Sequence, residues 1–78
     1  MNIPESIREI AIMIRTDWKN IYFGAVPYLN AMYSLETIND YYGCDSAKSI
    51  IIYFLANAKS WRGEKARAIK ARLNQLCK

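Results

Sequence analysis

Residues 49–67 read SIIIYFLANAKSWRGEKAR, and the reading of this stretch decides the fold. Ile50 to Ala56 is apolar without a break, and a β-branched run of that length is compatible with a buried strand. Its flanks favour a helix. Ala47-Lys48 before it and Leu55-Ala56-Asn57-Ala58 after it contain no turn residues, so the spacing predicts one helix over about 46–59, capped by Asp45 or Ser46. A helix that is apolar on nearly every side belongs in the middle of a bundle. Ser60 then restarts the chain as the cap of a further helix over about 61–76, whose Ala66, Ile69, Leu73 and Leu76 recur at steps of three, four and three. On this reading Trp61-Arg62-Gly63 lies in the first helical turn. It is either a structural corner, with Gly63 allowing close approach of the Gly24 loop, or a contact for a ligand or partner.

Two more helices precede these. Ile3, Ile7, Ile10 and Ile14, joined by Ala11 and Trp18, form an apolar stripe over about 4–18, with Asn2 as cap and Asn20 as left-handed terminator. "KNIYFGAVP" breaks the pattern, and Pro27 suits the first turn of a second helix. Tyr28, Met32, Leu35, Ile38 and Tyr42 carry that helix over about 27–42, to a stop at Gly43. Tyr33, Thr37 and Tyr41 make a separate lane beside its core face. The expected fold is therefore all-α: one domain, 1–78, a compact bundle of four short helices with the third at its centre.

At 78 residues, folding buries only about 60% of the unfolded chain's surface, so most large apolar side chains share one core. A hydrophobic content of 53% argues against disorder. The net charge of +4 is unevenly spread. Residues 1–58 hold four cations and six carboxylates; residues 59–78 hold seven cations and only Glu64. There is no histidine, which removes the commonest general base and the usual zinc ligand. Cys44 and Cys77 have no paired-ligand spacing, although a disulfide between them stays open. No nucleophile–base pair, phosphate loop or metal spacing is present, so neither an enzyme nor a cofactor is expected. "MNIPESIREI" lacks the features of a signal peptide, and the apolar run is far short of the ~20 residues of a membrane span. A cytoplasmic protein with reduced thiols, away from any membrane, is the expectation.

Two surfaces are candidates for function. Tyr22 and Phe23 are adjacent, so an extended segment would turn one inward and one outward. An outward aromatic beside Tyr33, Thr37 and Tyr41 would form a Tyr-rich patch of the kind found at protein interfaces; the alternative is that these rings are core. On the fourth helix Arg67, Lys70 and Lys78 point outward or to one flank, while Lys65 and Arg72 fall near the other. These cations surround the apolar stripe. They read as a solvated face or, alternatively, as a nucleic-acid contact. The third helix lacks the exposed polar residues of a recognition helix. Cys44 precedes a helix N-terminus, where a thiol pKa can fall, but it has no catalytic companion.

"DWKNIYFGAVPYLNAM" (17–32) and "IIYFLANAKSWRGEKARAIKARL" (51–73) resemble a family of short uncharacterised proteins encoded by phages and integrative mobile elements of gut Firmicutes. The resemblance implies a bacterial cytoplasmic setting and a role in binding host or element machinery. It carries no site residue. The expected function is a non-catalytic protein–protein adaptor or inhibitor. The alternative is a nucleic-acid-binding accessory domain using the basic C-terminal helix, and self-association through an exposed part of the third helix is a further possibility.

Overall fold

In the computed structural model, which describes residues 2–78, four α-helices follow one another: α1 (Ile7–Asp17), α2 (Val26–Met32), α3 (Ala47–Ala56) and α4 (Glu64–Leu76). A 3₁₀ turn (Phe23–Ala25) leads into α2, and a minimal hairpin of β1 (Tyr41–Tyr42) and β2 (Asp45–Ser46) leads into α3. The protein is an all-α bundle. Helix α3 is its centre, packed against α2, α4, the 3₁₀ turn and the hairpin.

The apolar stripes account for three of the four helices. Ile7, Ile10, Ala11 and Ile14 of α1 are buried, as are Ile69 and Leu73 of α4. From α3, Ala47, Ile50, Ile51 and Phe54 enter the core at helical spacing. Each fully buried aliphatic or aromatic side chain contributes about 1.5–3 kcal/mol relative to exposure. Among the described residues no buried side-chain polar atom lacks a hydrogen-bond partner.

The ends of α1 depart from the expected boundaries. Asn2 is exposed and caps nothing; Ser6 is the cap, its Oγ accepting from Glu9 N–H at 3.3 Å. Two more N–H groups of the first turn, those of Ile7 and Arg8, donate to the Glu36 and Leu35 carbonyls at 3.0 and 2.8 Å. Ile3 packs half-buried in the lead-in. At the other end Trp18 is the cap, and Asn20 does not adopt a left-handed conformation.

The second helix is the largest correction. It stops at Met32, ten residues before Tyr42, and residues 33–40 form turns. Carbonyls 35 and 36, which a continuous helix would use internally, complete the N-terminus of α1 instead. Asp40 organises the alternative. Its Oδ2 accepts from the N–H groups of Glu36 (2.8 Å) and Thr37 (3.0 Å), while its Oδ1 lies 3.4 Å from the Thr37 hydroxyl. Leu35 is still buried, but it enters the core from a turn, and Tyr42 is exposed on the hairpin. Gly43, with φ +63°, occupies the first position of the two-residue hairpin turn, where a positive φ is required and glycine tolerates it.

Backbone donors, Thr37 first and Glu36 second, hold the Asp40 pKa below its ordinary 3.8, with the Thr37 hydroxyl adding to them and burial opposing. A depressed carboxylate pKa stabilises the fold above the unfolded value, and that contribution is lost as pH falls through the lower folded value. Acid unfolding should therefore steepen below pH 3.8. Asp40→Asn should flatten that limb in a circular-dichroism titration. An unchanged acid limb in the variant would show that Asp40 does not carry it.

Candidate interaction surface

The corner between α3 and α4 sets the geometry of the surface around it. Helix α3 ends at Ala56 with Asn57 as cap, and α4 begins at Glu64 behind Gly63, so Ser60 caps neither. Gly63 has φ +117° and a Cβ there would meet nothing within 4 Å; the glycine serves its torsion and no close approach to the Gly24 loop. Trp61 therefore lies in the connection, not in a helical turn. Its buried indole stacks on Trp18 (5.8 Å between centroids, 14° between planes) and meets the ring of Phe54 edge-on at 6.4 Å. Its Nε1–H donates to Asp17 Oδ2 at 2.9 Å. Of the two readings of the triplet, the structural corner is the one this packing describes.

Lys70 completes the corner and is a correction to its reading as an outward cation. Its ammonium turns back from α4 and donates to the carbonyls of Ala58 (2.7 Å) and Trp61 (2.6 Å), 5.7 Å from the Trp61 ring centroid. Desolvation, and then the nearby Arg62 charge, draw its pKa below the ordinary lysine range. Arg67 and Lys78 are exposed, and the Arg72 guanidinium lies 3.5 Å from the Pro4 carbonyl. The three proposed nucleic-acid contacts thus reduce to two free side chains.

The aromatic loop divides differently from expectation. Ile21 turns toward the core, while Tyr22 and Phe23 both face solvent, 45% and 79% exposed, with ring centroids 4.9 Å apart. Gly24 makes this placement possible. A Cβ on it would come within 2.6 Å of the Tyr22 ring and 2.9 Å of Asn57 Oδ1, so the ring lies over bare backbone. Tyr22 then walls a shallow cleft with Ala56, Asn57, Lys59 and Ser60.

Helix α3 carries a second pair of exposed apolar side chains. Ile52 and Tyr53 are 47% and 52% exposed, on the side away from Ile50, Ile51 and Phe54. Tyr53 pairs with Tyr28 at 5.6 Å, and Ile52 lies one turn from Ala56 at the cleft. An unbroken apolar run contains no polar residue to mark its outer face, so the core stripe is the only signal that would have singled out these two.

The expected lane of Tyr33, Thr37 and Tyr41 does not exist, because no helix joins them. Tyr33 is half-buried beneath the Arg15 guanidinium, 5.3 Å from its ring centroid, and Arg15 also donates to Asn30 Oδ1 at 3.0 Å. Thr37 belongs to the Asp40 turn. Tyr41 is exposed on β1. Cys44 lies in the hairpin turn, not at the α3 cap, and both thiols are free, that of Cys77 raised in pKa by burial. Among the described residues no group of three or more Cys, Asp or Glu side chains is placed to hold a metal ion, and no helix is long and apolar enough to cross a membrane. No family model, no curated protein and no solved structure matches the chain.

Lys70→Met keeps the aliphatic stem but removes the donor shared by two carbonyls of buried residues. Urea unfolding should show a loss of about 1–3 kcal/mol. Arg67→Met, on the exposed side, should stay within about 0.5 kcal/mol of the parent. Equal effects in the two variants would mean that the ammonium contributes nothing to the corner.

Proposed function

We propose that the protein is a non-catalytic binding module, an adaptor or inhibitor that engages another protein through the face built from Tyr22, Phe23, Ile52 and Tyr53. The observation that carries this reading is Phe23: a full aromatic ring at 79% exposure, beside a second exposed aromatic whose position Gly24 makes possible. Covering such a ring returns about 1.5–3 kcal/mol of apolar burial to a partner. Aromatic side chains at the centre of a patch are the usual anchors of protein interfaces. The Tyr22 ring, held over the Gly24 backbone, also loses little conformational freedom on binding.

The nucleic-acid reading has less support, since Lys70 is engaged within the fold and Arg67 and Lys78 stand eleven residues apart along the chain. The resemblance to short proteins of phages and mobile elements accords with an adaptor or inhibitor of host machinery in a bacterial cytoplasm.

Phe23→Ala tests the proposal with little risk to the fold. Its helical circular-dichroism signal and melting temperature should match the parent, since surface substitutions of this kind stay within about 0.5 kcal/mol. Affinity capture from nuclease-treated host lysate should lose its bound protein with this variant and retain it with Tyr41→Ala. Capture that survives Phe23→Ala, or that disappears with nuclease alone, defeats the reading.

A further inference from the structure

We infer that the segment seated on this face is acidic: an apolar side chain entering the cleft beside Tyr22, continued by carboxylates toward the α3–α4 corner. The inference rests on the protein-binding reading and specifies the partner's chemistry. The cleft walled by Tyr22, Ala56 and Lys59 shares Ser60 with a second concavity, lined by Lys19, Trp61 and Arg62. Lys19, Lys59 and Arg62 are all exposed. The one carboxylate among them, Asp17, already accepts the indole N–H of Trp61. Among the described residues the single side-chain ion pair joins Arg8 to Glu36, at the opposite end of α1. Lys59 therefore lines the aromatic cleft and Lys19 and Arg62 line the concavity that adjoins it, with no acidic side chain paired to any of the three, and complementary charge is what such a surface selects.

The arrangement also separates protein from other polyanions. Single-stranded nucleic acid alternates bases with phosphates, and its binding grooves combine stacking rings with cations along the strand. Here Tyr22 lines the cleft with one cation, Lys59, and the other two cations, Lys19 and Arg62, lie in the adjoining concavity. That segregation fits an anchor followed by an acidic run. An anionic membrane would meet a protruding apolar face rather than a cleft.

Fluorescence anisotropy with defined probes tests this on the full chain. The probes are a labelled peptide repeating Glu-Glu-Leu-Phe, its Lys-Lys-Leu-Phe counterpart, a Glu-Glu-Ser-Gly control, single-stranded oligo-dT and phosphatidylserine vesicles. The first should bind, more weakly as salt rises, and the others at least about tenfold less tightly. Phe23→Ala should cost roughly 30-fold for the acidic apolar peptide. The exposed pair Lys59→Glu with Arg62→Glu should leave the circular-dichroism spectrum unchanged and reverse the preference between the two charged peptides. Indifference to peptide charge, with Phe23 still required, would overturn the acidic assignment and leave the protein-binding reading in place. Failure of both apolar peptides to bind would overturn the inference, and preference for oligo-dT or vesicles would replace the binding reading as well.

Discussion

The fold depends on the placement of one indole. Trp61 belongs to no helix, yet it touches three: it stacks on the residue that caps α1, meets Phe54 of α3 and lies under Lys70 of α4. A buried indole needs a partner for its N–H, and Asp17 supplies one from the last residue of α1. The connection that carries Trp61 exposes its own backbone carbonyls at Ala58 and Trp61, and the Lys70 ammonium answers both. Aromatic packing, an acidic acceptor and a cationic donor from three separate segments must coincide before the corner closes. Loss of Asp17 leaves the buried indole N–H without a partner, and loss of Lys70 leaves the Trp61 carbonyl without one, each costlier than the bond itself.

How far this was legible in the chain depends on the range of the interactions. The stripes of α1, α3 and α4 follow from spacing alone, because burial of one helical face is a local pattern. The second helix is shorter than its spacing predicts for a non-local reason. Leu35 and Ile38 keep helical spacing, but their segment gives its carbonyls to α1, and Ser34, Thr37, Asn39 and Asp40 are residues whose side chains compete with helical hydrogen bonding. Ser6 with Glu9 three residues later was a readable start signal for α1, stronger than Asn2. At the other junction, the positive φ of Gly63 shows that the chain restarts at the glycine and not at Ser60.

The candidate surface was legible in its aromatic half. Tyr22 and Phe23 stand out by composition, and their common exposure follows from Gly24, whose missing side chain makes room for one ring. The lane through Tyr33, Thr37 and Tyr41 failed together with the helix that was to carry it. In the sequence Lys70 reads as a surface charge, because its acceptors lie nine and twelve residues upstream, beyond any helical periodicity. Lys19, Lys59 and Arg62 are dispersed along the chain, and only the folded corner gathers them into two concavities that meet at Ser60.

The Lys70 clasp also bears on how the chain matures. Synthesis runs from the N-terminus, so Trp18, Phe54 and Trp61 are all added before the α4 side chain that lies over the Trp61 ring. Until residue 70 clears the exit tunnel, the Trp61 carbonyl stays hydrated and the indole has no lid. The aromatic centre is consequently the last part of the core to close.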